Sequence, residues 1–119
     1  MTQSEIKIAL DDLIQMINSG KTMEAFDKYY HDDFIGQENQ TEPRIGKKVN
    51  REFEEVFLSN ITQKRVYEAK STMVGTNVSA ILWDIDIDHK EWGTMKVTEI
   101  NVQTWESGKI IRESYHYNI

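Results

Sequence analysis

The stretch Val78-Ser-Ala-Ile-Leu-Trp-Asp-Ile-Asp-Ile-Asp-His89 decides the fold. Its side chains alternate with a period of two. Ser79, Ile81, Trp83, Ile85 and Ile87 share one face, and Ala80, Leu82, Asp84, Asp86 and Asp88 share the other. Only a strand half-buried against a core needs that pattern. Glu91-Trp92-Gly93 reads as a turn, and Thr94 to Trp105 as the next strand. Glu106-Ser107-Gly108 then turns the chain into Lys109–Asn118, and Thr62–Val74 precedes the quoted stretch. The connections are short, so these strands are expected to pair antiparallel in chain order.

Upstream the period changes. Ile6, Leu10, Leu13 and Ile17 recur every three or four residues, which predicts an amphipathic helix of about four turns ended by Asn18-Ser19-Gly20. Thr22 is expected to cap a second, short helix carrying Met23, Phe26, Tyr29 and Tyr30, closed by His31-Asp32-Asp33. Phe34 to Glu38 reads as a short extended piece, and Asn39 to Gly46, with Pro43, as a polar turn. Val49, Phe53, Val56 and Phe57 form the apolar stripe of a third helix, with Lys48, Arg51, Glu54 and Glu55 on its wet side. Helices first and a meander second predict an α+β architecture. Strands this long in a small sheet are expected to coil. The expectation is therefore a cone: the N-terminal helices packed on the concave face of a strongly curved, mainly antiparallel sheet, as one domain over residues 1–119. Apolar side chains on both sheet faces predict a homodimer across the convex face, with Ile100 and Val102 at or near the interface.

The composition narrows the chemistry. Asp and Glu number 20 against 14 Lys and Arg, a formal charge of -6. Such a surface repels phosphate backbones and anionic lipid, so neither nucleic acid nor membrane is an expected partner. The chain has no cysteine, which removes thiol nucleophiles, disulfides and thiolate metal sites and fits a reducing compartment. The polar N-terminal residues offer no apolar leader, and the expected location is the cytoplasm. No phosphate-binding loop, dinucleotide fingerprint, GxSxG or HExxH occurs, so no cofactor or metal is expected. Asp84, Asp86 and Asp88 read as a solvated edge or polar rim beside His89.

Three pieces carry a resemblance: Tyr30-His-Asp-Asp-Phe-Ile-Gly-Gln-Glu38, Arg44-Ile-Gly-Lys47 opening a helix, and Trp105-Glu-Ser-Gly-Lys-Ile-Ile-Arg-Glu113. In this order and spacing the chain, over residues 3 to 118, resembles the nuclear transport factor 2-like superfamily in its SnoaL-like and ketosteroid-isomerase-like branch. The resemblance implies a pocket for a small apolar or carbonyl-containing molecule, with cofactor-independent isomerase, cyclase or dehydratase chemistry by proton abstraction beside a carbonyl. It puts Glu38 at the position of the catalytic base, beside the alternative of a turn carboxylate paired with Arg44. It puts Asn101 at the position of the oxyanion-stabilising acid and Leu13 at that of its tyrosine partner. The pocket face of the last strand matches Glu113, Tyr115 and Tyr117. On the preceding strand the same face holds Glu99, Asn101, Gln103 and Trp105. Glu99 and Glu113 are then candidate proton donors, because carboxylates sharing a dry pocket push one another's pKa up. Tyr115, Tyr117, Trp105, Gln103 and Leu13 are expected to line the pocket. Two further readings stand beside this one: a non-catalytic carrier of a hydrophobic ligand, and an interaction module with a vestigial pocket.

Overall fold

The computed structural model describes residues 1–118; Ile119, the last residue of the expected domain, lies outside them. Helix α1 (Gln3–Asn18) starts in a capping box: Thr2 Oγ1 accepts from the Glu5 amide while Glu5 reaches back to the Thr2 amide. It buries Ile6, Leu10 and Leu13, each contributing about 1.5–3 kcal/mol of apolar burial. Helix α2 (Thr22–Tyr29) has Lys21 at its N-cap with no side-chain cap bond, so Thr22 does not play the expected capping part.

The second helix also ends earlier than its aromatic pattern suggests. Tyr30 is already extended and begins β1 (Tyr30–Glu38). Its ring stacks on Phe26 with centroids 4.4 Å apart and meets Phe34 edge-on at 4.7 Å, so it belongs to the core from a strand. A two-residue strand, β2 (Arg44–Ile45), follows inside the predicted turn. Then come α3 (Lys47–Ser59), β3 (Ile61–Gly75), β4 (Val78–His89), β5 (Gly93–Glu106) and β6 (Lys109–His116).

The sheet corrects the expected cone. It is an open six-stranded sheet in the order β2-β1-β6-β5-β4-β3, and it is neither strongly curved nor closed. The strands from β3 to β6 pair antiparallel in chain order, but β1 lies parallel to β6, which makes the sheet mixed. The expectation paired the four long strands in chain order and left Phe34 to Glu38 as a short extended piece. The chain leaving α2 instead inserts β1 beside β6, with β2 outside it. The sheet is thereby widened to six strands, and β2 and β3 are left as its edges.

Helix α3 is rotated relative to its apolar stripe. Asn50 is buried, whereas Val49 and Val56 are 50% and 57% exposed. The inward positions are Asn50, Glu54, Phe57 and Leu58, a helical i, i+4, i+7, i+8 set that begins with two polar residues. Asn50 explains the rotation. Its Nδ2 donates to the carbonyls of Arg44 (2.9 Å) and Gly46 (2.7 Å), and its Oδ1 accepts from Arg44 Nε (3.2 Å), tying α3 to β2. Gly36 makes room for this tie: a Cβ there would lie 2.5 Å from Asn50 Oδ1.

Candidate functional site

Strand register assembles the site. On the face turned to the helices, Ile81 of β4 stands opposite Asn101 of β5, Asn101 opposite Tyr115 of β6, and Tyr115 opposite Glu38 of β1. One row over, Ser79, Gln103, Glu113 and Gly36 form a parallel line. Trp83 faces Glu99 in the row on the other side. Two hollows lie between these rows and the helices, of about 70 and 80 Å³. Both are bordered by Glu54, Tyr67, Asn101 and Tyr115, so they adjoin one another. Leu13, Tyr30, Lys64, Trp83 and Glu113 border the first; Glu38, Glu99, Trp92 and Tyr117 border the second.

Glu113 is a buried acid that accepts three side-chain hydrogen bonds. It is 4% exposed and accepts from the Tyr30 hydroxyl, from the Tyr115 hydroxyl (2.8 Å) and from Gln103 Nε2 (2.6 Å). Gln103 Oε1 accepts from Ser79 Oγ (2.7 Å), and Ser79 Oγ accepts from the indole N–H of Trp105 (2.9 Å). The indole donates, Ser79 passes its single hydroxyl hydrogen to Gln103 and Gln103 donates to the acid, so the donors run one way from Trp105 to Glu113. Burial raises the Glu113 pKa, while the donors from Gln103, Tyr30 and Tyr115 oppose the rise. Trp105 and Gln103 therefore hold the site from behind, and neither borders either hollow.

The other acids differ in their partners. Glu38 is clamped by Arg44, whose Nη1 and Nη2 reach its two carboxylate oxygens, the second at 3.1 Å. Glu99 is mostly buried beside the hollow, and desolvation pushes its pKa up to about 8. The Asn101 amide lies close enough to Glu99 to offset part of that rise, with Glu113, Glu38 and Glu54 adding to it. Glu54 has no ion pair and no hydrogen bond among the described residues. Desolvation first, then the charges of Glu113 and Glu38, raises its pKa to about 7. Sequence reasoning placed Glu54 on the wet side of α3, because one acid among Arg51, Glu52 and Glu55 carries no periodic signal. Asn101 is 6% exposed, and among the described residues its buried Nδ2 makes no well-formed hydrogen bond, although the amide lies near the Glu99 carboxylate.

The remaining candidates lie elsewhere. Asp86 and Asp88 face away from the helices and pair with Arg65. His89 is buried on the helix side, stacked on Trp92 with centroids 4.2 Å apart; its Nδ1 accepts from the Glu91 amide (3.2 Å). The sheet's other face carries an apolar centre in which Ile100 and Met73 are 41% and 53% exposed. Among the described residues no helix is long and apolar enough to cross a membrane.

No protein-family model matches the sequence. No curated protein matches it either. Solved structures do match. A Mesorhizobium loti protein, named provisionally as a SnoaL-like polyketide cyclase, superposes with a TM-score of 0.85 at 22% identity, over 98% of this chain and 100% of that one. A Pseudomonas putida protein, named provisionally as a polyketide cyclase, gives 0.80 at 22% identity over 100% and 93%. An NTF2-like protein of unknown function from Burkholderia pseudomallei gives 0.79 at 9% identity over 99% and 92%. The fold is that of the NTF2-like, SnoaL-like proteins. At these identities the likeness carries the backbone and not the chemistry. In this SnoaL-like fold the side chains around the two hollows are what distinguishes the chain.

Proposed function

We propose that the protein binds a small carbonyl compound between the helices and the sheet and moves a proton at the carbon beside the carbonyl, without a cofactor. The observation that carries this reading is Asn101 Nδ2, a buried donor without a well-formed hydrogen bond among the described residues, bordering the same hollow as two acids whose pKa values are raised to about 7 and about 8. A general base works best with a pKa near the working pH, and Glu54 at about 7 meets that condition. Glu99 at about 8 keeps its proton at neutral pH and serves as the acid that returns one. Asn101 donates to the oxygen on which charge develops. Glu38, with both oxygens on Arg44, fixes the charge of the second hollow in this scheme rather than taking the proton. Glu113 orients Tyr115, and Leu13 and Tyr117 close the walls.

Size limits the substrate. A dry cavity of about 150 Å³ takes benzene. The two hollows together are of that order, so the scheme calls for a molecule with a ring's worth of heavy atoms, not a steroid. Glu54→Gln is expected to lower turnover of small activated ketones or β-dicarbonyls by about 10²–10⁴-fold while leaving binding intact. Full turnover in Glu54→Gln together with its loss in Glu38→Gln would return the base to Glu38 and sink this assignment.

The sheet face opposite the helices is proposed to pair with a second copy of the chain. Met73, Leu82, Ile100 and Val102 supply its apolar centre, and the aspartates with Arg65 supply a polar rim. Sedimentation at micromolar concentration is expected to give twice the chain mass, and Ile100→Asp to give the 14.0 kDa monomer. A wild-type monomer at that concentration would refute the pairing.

A further inference from the structure

The cavity holds more acids than its surroundings could balance if all were ionised. Glu38 is matched by Arg44. Lys64, at the rim of the first hollow, places Nζ 5.3 Å from the Tyr67 ring centroid. Glu54, Glu99 and Glu113 have no ion pair among the described residues. The walls between them are ring faces: Tyr67 packs on Trp83 with centroids 5.2 Å apart, and Phe57 and Trp92 lie across the second hollow. Both of the protein's own cations at this rim already sit over rings, Lys64 over Tyr67 and Arg44 over Phe53 at 3.8 Å. Asn101 adds a second sign of a missing guest, since its buried Nδ2 makes no well-formed hydrogen bond among the described residues and only approaches the Glu99 carboxylate.

We propose that the occupant of this cavity is a small organic cation, an ammonium or quaternary amine that also carries an oxygen acceptor, with its charge between Glu54, Glu99 and the ring faces and its oxygen on Asn101 Nδ2. This rests on the cavity being the ligand site, and it names the ligand class for that site. A positive charge enclosed by ring faces and carboxylates is attracted by both. A neutral guest of the same shape leaves the acids uncompensated, and they stay protonated. The cation favours their ionised forms, so its binding expels protons and strengthens as pH rises through the neutral range. The hydroxyls of Tyr30 and Tyr115 are committed to Glu113, and His89 lies behind Trp92, so Glu54 and Glu99 are the groups that respond.

The test is calorimetric titration of the full chain with two cations and their neutral isosteres: choline against 3,3-dimethylbutan-1-ol, and ethanolammonium against propan-1-ol. The expected result is that a cation binds about tenfold or more tightly than its isostere. Choline affinity should rise between pH 6 and pH 9, with proton release visible in buffers of different ionisation enthalpy. Glu54→Gln and Glu99→Gln should each erase part of the preference. Equal or tighter binding of the neutral alcohols overturns the cation and leaves the ligand site standing. Binding of neither class overturns both. A preference for cations that is unchanged in both variants and at every pH also overturns the proposal, because the charge would then be read elsewhere.

Discussion

Thermal stability is expected to fall as pH rises from about 5 to about 8.5, by roughly 20 °C in Tm. Glu54 and Glu99 hold their protons up to about 7 and about 8 in the folded chain, against an ordinary carboxyl value of 4.5. Between those limits the folded state binds more protons than the unfolded one, so unfolding releases protons and alkali favours it. The stability tied to these groups is therefore whole below the ordinary carboxyl range and is lost as pH climbs through the raised values. One pKa unit corresponds to 1.36 kcal/mol, and the two acids share one cavity, so the combined loss is on the order of 5 kcal/mol rather than the sum of two independent terms. Glu113, also raised, acts in the same direction. Asp88 acts in the opposite one: Arg65 holds its pKa down to about 2, so its contribution disappears only in strong acid. Melting curves across pH 4 to 9 check the slope. Glu54→Gln should match the wild type near pH 5 and exceed it at pH 8.5. An unchanged slope in both Glu54→Gln and Glu99→Gln would show that neither acid is buried uncharged.

The same two residues show how far the sequence could be read. Glu99 lies on a strand, where alternation alone groups it with Asn101, Gln103 and Trp105, and the register of β5 on β4 turns that face to the helices. Strand period is insensitive to what the side chains are made of, so polar residues on an inner face stay visible. Helix period is read from apolar residues, and that reading misled at α3. Val49, Phe53 and Val56 looked like the inner stripe, but Asn50 sets the rotation by bonding to β2, and Glu54 follows it inward one turn later. No local pattern announces a tie between Asn50 and the carbonyls of Arg44 and Gly46. The cone failed for a related reason. The pairing of β1 with β6 joins residues more than seventy positions apart, such as Gly36 with Glu113, and only hydrogen bonds between distant segments record it. Tyr30 suffered from both effects, since an aromatic at helical spacing turned out to be the first residue of that distant strand.

Glu113→Gln is expected to destabilise the protein by about 2–4 kcal/mol near neutral pH, and part of that cost should be recovered when Gln103 is also changed to Glu. In the wild type the donors run one way: Trp105 to Ser79, Ser79 to Gln103, and Gln103 with both tyrosines to Glu113. A glutamine at 113 brings an NH₂ group to a place already filled by donors. Its carbonyl can accept from Tyr30 and Tyr115, but its amide then confronts Gln103 Nε2, and one buried donor goes unpaired. Turning Gln103 over does not help: its Nε2 would then reach Ser79 Oγ, and the Ser79 hydroxyl hydrogen, which Gln103 Oε1 accepts in the wild type, would go unpaired instead. Gln103→Glu supplies the missing acceptor. One oxygen of a carboxylate at 103 still accepts from Ser79, and the other faces the new amide at 113. What is lost is the longer bond from Gln103 to the Asn101 carbonyl (3.3 Å). Gln103→Glu alone sets two buried carboxyl groups against each other and should be costly. The double variant should accordingly be about 1–3 kcal/mol more stable than the sum of the single changes predicts. Urea unfolding of the four proteins measures that coupling. Strict additivity would mean that side chains 103 and 113 are not hydrogen-bonded and that the one-way chain does not exist.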